Sequence, residues 1–258
     1  MPQLWLRGNP IGDIKGVLFD KDGTLSNSES HLRKVALLRV SEAIKVLEED
    51  LNKKLEGPSL KELLSLVYGL KTNGISPDGA SAVASREQNI ISTATVLSIF
   101  GQTWPESINL SNLIFQKVDS MEENDLIDEN KRPLLPGVRC LLRKLEISGV
   151  ACSIISNDTS KGIKSFLIKN SLERQFKYLW SSENSPPKPN PEAAKKLCRI
   201  LNLKPSECAL IGDADSDLRM AHQAGMGLIL GYTAGWSTPP SLNEHQHLIH
   251  HWDELDIH

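Results

Sequence analysis

Two aspartates stand two positions apart in the segment Asp20-Lys21-Asp22-Gly23-Thr24. The preceding residues, Ile14–Asp20, end in a short apolar run of strand-forming side chains, which predicts a buried strand that enters a polar, glycine-containing loop. Two carboxylates this close together repel each other unless a cation lies near them. The segment is therefore a candidate site for a bound cation.

Three further polar groups follow apolar runs or precede helices. Ser156 and Asn157 come after Ile154-Ile155, Lys188 lies just before a predicted helix, and the segment Gly212–Asp217, GDADSD, carries three acids. A hydroxyl and an amide can donate hydrogen bonds to an anion, a lysine can offset its charge, and acids bind hard cations through oxygen. The sequence thus supplies groups for an anion as well as for a cation.

Strands and helices alternate in the second half of the chain. The predicted strands are Val150–Ser156, Tyr178–Ser181, Cys208–Gly212 and Gly227–Leu230, and the predicted helices are Ser160–Asn170, Pro191–Leu201 and Ser216–Gly225. This alternation predicts an α/β fold with a parallel sheet covered by helices. Ligands of such sheets bind beyond the carboxyl ends of the strands, where the polar groups lie.

Between the first strand and this half, the hydrophobic spacing is that of helices. We expect helices over about Glu29–Glu56, from Leu60 to Val67, over Ile90–Phe100 and over Glu106–Met121, and no strand between about Ser28 and Asn130. The prolines of Arg132–Gly137 mark the return to the first domain. The predicted domains are a core of residues 1–27 and 131–258 and an inserted all-helical domain of residues 28–130.

Composition excludes several classes of protein. Hydrophobic residues make up 40% and charged residues 24% of the chain, which is typical of a globular protein, and the net charge of -3 argues against a nucleic-acid partner. No apolar run is long enough for a signal peptide or a membrane span. The four cysteines, Cys140, Cys152, Cys198 and Cys208, form no CxxC pair, and we expect reduced core residues in a cytoplasmic protein.

In their order and spacing, DxDGT, a serine, a lysine before proline and GDxxxD resemble the four motifs of the haloacid dehalogenase superfamily. The segment GDADSDLRMAHQAG is particularly similar to the phosphoglycolate phosphatase branch, and the helical insertion resembles the cap domain of that branch in position and length. The resemblance implies a Rossmann-like core, a helical cap that closes over the site, and Mg²⁺ as cofactor.

The resemblance also implies a role for each motif residue. Asp20 is expected to attack phosphorus and form an aspartyl phosphate, and Asp22 to act first as general acid and then as general base. Thr24 would order the loop. The phosphate-binding residues would be Ser156, Asn157 and Lys188, and the metal-binding residues Asp20, Asp22 (through its backbone carbonyl), Asp213 and Asp217.

The function that this resemblance favours is Mg²⁺-dependent hydrolysis of a small phosphate monoester, with a phosphoglycolate-like compound or a sugar phosphate as first candidates. A phosphomutase of the same superfamily and a non-catalytic sensor of a phosphorylated ligand are the alternatives. A dehalogenase is disfavoured because such members lack an acid at the position of Asp22. The expected partner is a small phosphorylated metabolite, without nucleic acid or membrane, and a homodimer is an open alternative.

Several polar or aromatic residues have a plainer interpretation than a functional one. Lys21 departs from the more usual apolar residue, and we interpret it as a solvated side chain, with contact to cap or substrate as the alternative. Arg86 is interpreted as an exposed helix residue and Asp215 as a helix cap. The remaining residues are interpreted as a solvated tail (His245, His247, His250 and His251) and as packing residues (Trp104, Trp180, Trp236 and Trp252).

Overall fold

The chain forms two compact units. The computed structural model describes residues 1–48, 57–123 and 133–258 of the 258-residue chain. One unit, the core unit, comprises Met1–Ser28 and Arg132–His258, and the other, the helical unit, comprises Glu29–Lys131.

The core unit begins with a hairpin that the sequence did not predict. Strands β1 (Gln3–Leu6) and β2 (Asn9–Asp13) pair antiparallel. The two residues between them, Arg7 and Gly8, have φ angles of 51° and 79°, the positive values that a two-residue hairpin turn needs to match strand twist. Strand β3 (Gly16–Phe19) follows, and all four of its residues are buried, as predicted for the strand before Asp20.

The helical unit contains α1 (Glu29–Glu48), α2 (Leu60–Val67), α3 (Ala80–Val83), α4 (Arg86–Ile99) and α5 (Trp104–Glu123). The prediction that the first helix continues to Glu56 falls outside the described residues. The expectation of an all-helical insertion was wrong in one detail, because β4 (Leu70–Lys71) and β5 (Gly74–Ile75) form a short antiparallel hairpin. With two residues each, these strands are too short for an alternating pattern to show in the sequence.

The second part of the core unit alternates helices and strands close to the predicted positions. The elements are α6 (Val138–Ile147), β6 (Ala151–Ile155), α7 (Ser160–Lys169), β7 (Phe176–Trp180), α8 (Pro191–Ile200), β8 (Cys208–Gly212), α9 (Asp215–Ala224), β9 (Leu228–Tyr232), β10 (His247–Ile249) and β11 (Leu255–Ile257). Six strands form a parallel sheet in the order β10-β9-β8-β3-β6-β7. The predicted α/β fold with a parallel sheet is confirmed.

The last residues of the chain are part of this fold, so the expectation of a solvated tail was wrong, although the side chains of His250 and His251 are exposed. Strand β10 joins the edge of the parallel sheet, and β11 pairs antiparallel with β1. The side chains of Ile249, Trp252 and Leu255 are almost completely buried, and such burial stabilises the segment by the hydrophobic effect. His247 lies in β10, and His250 contacts the Thr233 hydroxyl through Nδ1 (2.7 Å).

Hydrophobic clusters lie within the units. The cluster on one face of the sheet includes Val138, Leu141, Leu142 and Leu145 of α6, the apolar face that the sequence predicted. A second cluster packs α8 and α9 on the sheet, and a third joins α1, α2, α4 and α5 of the helical unit. Of the cysteines, Cys152, Cys198 and Cys208 are buried as expected, whereas Cys140 is exposed on α6.

Candidate active site

The centre of the parallel sheet brings three polar strand ends together. Strand β3 lies between β6 and β8, so the chain crosses from one side of β3 to the other as it builds the sheet. Such a reversal opens a crevice at the carboxyl ends of the strands. One polar residue directly follows each of the strands β3, β6 and β8: Asp20, Ser156 and Asp213, respectively.

Three carboxylates cluster at this edge of the sheet. Asp20, Asp213 and Asp217 each offer an oxygen atom, and these oxygens lie within 4.8 Å of one another. All three side chains are buried. Asp217 is placed there because α9 begins at Asp215 and its first turn returns the side chain toward the strand end. The structure thus brings together acids from the first and the fourth sequence motif.

Lys188 joins this cluster as its cation. Its Nζ lies 2.6 Å from Asp20 Oδ1 and 2.9 Å from Asp217 Oδ1, and it donates a weaker hydrogen bond to the Ile155 carbonyl (3.3 Å). Only about 4% of the Lys188 side chain is exposed. Burial lowers the pKa of Lys188, but the charges of Asp20 and Asp217 more than offset this and raise it above its usual value. Lys188 is therefore a fixed positive charge.

The carboxylates carry more negative charge than one lysine neutralises. Burial, reinforced by the charge of Asp20, raises the pKa of Asp213 well above its usual range. Burial also raises the pKa of Asp217 to about 6, although the Lys188 ammonium opposes this effect. The raised pKa values show that the ionised forms lack a sufficient positive partner, and carboxylates are hard oxygen donors of the kind that Mg²⁺ prefers. The residues present are suited to a divalent cation.

Two hydrogen-bond donors hold the Asp213 carboxylate from opposite sides. The Thr24 hydroxyl donates to Oδ1 (2.8 Å), and the Trp236 indole donates to Oδ2 (2.5 Å). Both donors are buried. Thr24 thus orients the Asp213 carboxylate in addition to its expected role in its own loop. Trp236 makes a hydrogen bond that its position in the sequence did not indicate. Since an indole donor and a packing residue have the same sequence signature, only the fold could show the difference.

The second aspartate of the first motif lies apart from the carboxylate cluster. Both oxygens of Asp22 lie 2.6 Å from the Nζ of Lys21, and the Ser28 hydroxyl also donates to Oδ1. Lys21 is completely buried, so its interpretation as a solvated side chain was wrong. Its Nζ also lies 3.1 Å from Asp158 Oδ2. The expected roles of Asp22 as acid, base and metal ligand stay predictions.

The second motif lies at the turn from β6 to α7. Ser156 is buried, and its Oγ accepts a hydrogen bond from the Asp158 amide (3.1 Å). Asn157 follows at a half-buried position. Thr159 then caps α7 by accepting from the Gly162 amide (3.1 Å), and the Thr159 and Ser160 amides donate to Asp158 (2.7 Å) and Glu183 (3.2 Å). The Ser156 hydroxyl can still donate a hydrogen bond, which suits an anion.

Other candidate residues have structural contacts. Arg86 donates two hydrogen bonds to Asp119 (2.9 and 2.6 Å), which links α4 to α5 within the helical unit. Asp215 does not act as the helix cap that we expected, because its carboxylate accepts from the amides of Asn243 (2.7 Å) and Glu244 (3.2 Å). Among the described residues, the histidines form no cluster that could hold a metal.

Comparison with known proteins agrees with this arrangement. The model of the haloacid dehalogenase-like hydrolases matches residues 14–225, which include all four motifs. The chain belongs to this family. The motif resemblance seen in the sequence is confirmed, and the chain is a hydrolase by family.

Relatives within the family include phosphoglycolate phosphatases. The enzyme of that name from Pseudomonas fluorescens is 32% identical over 104 residues, which cover 39% of this chain and 38% of that protein. The one from Pasteurella multocida is 29% identical over 107 residues, or 40% and 48% of the two chains. The chain thus matches less than half the length of these curated relatives.

A solved structure extends the likeness over nearly the whole chain. The crystal structure of a predicted phosphoglycolate phosphatase from Haemophilus somnus covers 93% of this chain and 95% of its own, with a TM-score of 0.66 and 22% identity. At this identity the likeness shows a shared fold.

Among the described residues, no helix is long and apolar enough to cross a membrane.

Proposed function

We propose that this chain is a Mg²⁺-dependent phosphatase that hydrolyses a small phosphate monoester through an aspartyl phosphate on Asp20. The observation that carries the proposal is the buried cluster of Asp20, Asp213 and Asp217 with Lys188 bound to two of its members. It lies at the edge of the sheet where ligands of this fold class bind.

The proposed reaction has two displacements at phosphorus. In the first, a carboxylate oxygen of Asp20 attacks phosphorus while the bond to the leaving alcohol breaks and Asp22 donates a proton to that alcohol. In the second, a water molecule attacks the same phosphorus, Asp22 accepts its proton, and inorganic phosphate leaves as the Asp20 carboxylate is restored. Asp22 is solvent-accessible enough for proton exchange, since 18% of its side chain is exposed.

Fixed charges around Asp20 support this chemistry. Lys188 lies 2.6 Å from the nucleophilic carboxylate, so its ammonium is next to the place where negative charge gathers on the phosphoryl oxygens. Ser156 and Asn157 are proposed to bind those oxygens. Asp20, Asp213 and the Asp22 carbonyl would hold Mg²⁺, with Asp217 as a further ligand or a partner of Lys188. The ion would supply positive charge that stabilises the phosphoryl group.

The first substrates to test are phosphoglycolate and sugar phosphates. Phosphoglycolate phosphatases are among the relatives, but their matches cover under half of their length, and a shared fold does not fix a substrate. We therefore propose only a small phosphate monoester as the substrate class.

The experiment that tests the proposal measures phosphate release from a panel of monoesters, with Mg²⁺ and with chelator. The wild-type chain is expected to turn over at least one compound only when Mg²⁺ is present. Asp20→Asn should lower kcat by about a thousandfold or more, because an amide does not attack phosphorus and loss of a nucleophile has effects of this size.

A matched control comes from the same acidic segment. Asp215→Asn changes a carboxylate that binds the 243–244 backbone instead of the cluster, and this variant should keep most of the activity. If the wild-type chain released no phosphate from any ester, or if the Asp20→Asn variant had wild-type turnover, the proposed mechanism would be refuted. Turnover that required a bisphosphate activator would indicate a phosphomutase.

A further inference from the structure

The most unusual side chain near the proposed site is that of Lys21. No part of it is exposed to solvent, although it lies in a loop between two acids of the first motif. Its ammonium contacts Asp22 (2.6 Å) and Asp158 (3.1 Å), which come from the loops after β3 and β6. Lys21 thus connects the loop that carries the proposed nucleophile to the loop that carries the proposed phosphate-binding residues.

The backbone of the first loop makes this contact feasible. Side chains of adjacent residues in an extended chain point in opposite directions, yet Lys21 and Asp22 face each other. The Lys21 carbonyl accepts from the amides of Leu25 and Ser26 (2.9 Å each), and Gly23 has a φ angle of +77°. This tight turn folds the Asp22 carboxylate back onto the Lys21 ammonium.

Several groups contact the ion pair of Lys21 and Asp22. Lys21 Nζ approaches both oxygens of Asp22, and Ser28 donates to one of them. The ring of Phe166, from α7, lies 5.6 Å from Nζ and forms an apolar wall, within the range of a favourable cation–π contact. These contacts restrict the orientation of the Asp22 carboxylate, and 18% of the Asp22 side chain remains exposed.

Stability alone does not account for such a residue. Removing an ammonium and its partners from water costs free energy, and an apolar replacement of similar volume is often neutral or stabilising. A buried lysine between two carboxylates is therefore better explained by a requirement for geometry.

We propose that Lys21 is a positioning residue that fixes the orientation of the Asp22 carboxylate and ties it to the second-motif loop through Asp158. This role rests on the proposed function, in which Asp22 transfers the proton to and from the reacting oxygens. Lys21 itself acts through Asp22, because its ammonium pairs with Asp22 and Asp158 and not with the clustered aspartates.

The test compares Lys21→Met and Lys21→Gln with wild type, at saturating Mg²⁺. Met keeps the length of the unbranched stem and removes the charge, whereas Gln keeps a hydrogen-bond donor. Both variants are expected to lower kcat by about 10-fold to 100-fold and to leave KM and the Mg²⁺ dissociation constant within about threefold, because the ligands of substrate and metal are unchanged.

A double-substitution cycle separates positioning from a general structural effect. If Lys21 acts through Asp22, adding Lys21→Met to Asp22→Asn should lower kcat by less than about twofold further, since residues that act as a unit are non-additive. Lys15→Met is the matched control, because Lys15 pairs with Glu207 (2.6 Å) in the same unit but is 42% exposed. It should retain wild-type kcat.

Each outcome decides the role. Wild-type kcat in both Lys21 variants, or full additivity with Asp22→Asn, would overturn it while leaving the proposed phosphatase intact. A rise in KM or in the Mg²⁺ dissociation constant with unchanged kcat would also overturn it, and would assign Lys21 to ligand binding. A wild-type chain without turnover would overturn the proposed function and this role together. If Lys21→Met does not fold, Lys21→Gln is judged by the same criteria.

Discussion

At the scale of single residues, two neighbouring donors hold the Asp213 carboxylate, a proposed ligand of Mg²⁺. Thr24 and Trp236 each donate to one of its two oxygens. Donors of this kind fix the orientation of a ligand before the ion arrives, and their loss typically reduces metal affinity by 10-fold to 100-fold.

We therefore expect Trp236→Phe to weaken Mg²⁺ binding by about tenfold, because phenylalanine fills most of the indole volume but donates no hydrogen bond. Isothermal titration calorimetry with Mg²⁺ measures the effect without need of a substrate. Trp5→Phe, in β1, is the control and should bind Mg²⁺ as wild type does. Equal affinity in all three proteins would show that Trp236 only packs against Asp213.

Protonation of the same cluster makes a second prediction about metal binding. Burial raises the pKa of Asp217 to about 6 and that of Asp213 well above its usual range. In the metal-free protein Asp217 therefore holds a proton below about pH 6, and Asp213 keeps its proton to a higher pH than an ordinary aspartate, so Mg²⁺ must displace these protons. Affinity for Mg²⁺ should therefore fall as pH decreases below 6, by about tenfold per pH unit for each proton displaced.

Calorimetry in two buffers of different ionisation enthalpy counts the protons that Mg²⁺ releases. Release should be larger at pH 5.5 than at pH 8, and Asp217→Asn should reduce it at the lower pH. Affinity that is independent of pH between 5.5 and 8 would contradict the raised pKa of both aspartates.

At the scale of elements, the strand ends were predictable and the contacts between loops were not. The positions of Asp20, Ser156 and Asp213 follow from apolar runs with polar residues after them, and a parallel sheet gathers such positions at one edge. The burial of Lys21 depends on a turn and on Asp158 from another loop, which no local pattern records. The hairpin of β1 and β2 was missed because β2, Asn9–Asp13, contains a proline and a glycine, which are depleted in strands.

Helices α1 and α5 of the helical unit are joined by a charge contact that pH should control. Glu42 is 1% exposed and accepts from Lys45 (2.6 Å) and from Lys117 of α5. The hydrogen bonds from Lys117 and then Lys45 lower the pKa of Glu42 below 4.5. A lowered pKa means that the stabilisation is present above pH 4.5 and is lost as pH falls through the folded-state value.

Glu42→Gln should accordingly lower the free energy of unfolding by about 1–3 kcal/mol at pH 7, where it removes two charge-assisted hydrogen bonds. The difference from wild type should shrink as the pH falls below 4.5. Denaturant unfolding at pH 7 and pH 4 measures both values. Glu87→Gln, an exposed change on α4, should stay within about 0.5 kcal/mol of wild type. A difference that persists unchanged at low pH would contradict the charge contact.

At the scale of the whole molecule, the core unit is made of two separate segments of the sequence that are joined in the structure. Its chain leaves and returns through adjacent backbone segments: the Asn27 amide donates to the Pro133 carbonyl and the Leu135 amide donates to the Leu25 carbonyl, at 2.9 Å each. Both main hydrophobic clusters of the unit draw their members from residues 4–25 and 135–257. A unit of about 150 residues with its own core has the size of an independent domain.

The core unit should therefore fold without the inserted segment. We expect a chain in which residues 29–131 are replaced by a Gly/Ser linker of about four to six residues to unfold in one cooperative transition, because such a linker suffices for neighbouring backbone segments. Its Mg²⁺ affinity should remain within about threefold of the full chain, since the clustered aspartates all belong to the core unit. Circular dichroism during thermal unfolding and calorimetry with Mg²⁺ test the two expectations. A shortened chain without a cooperative transition would show that the core unit depends on the insertion. A shortened chain that folded but did not bind Mg²⁺ would show that the metal site depends on the insertion.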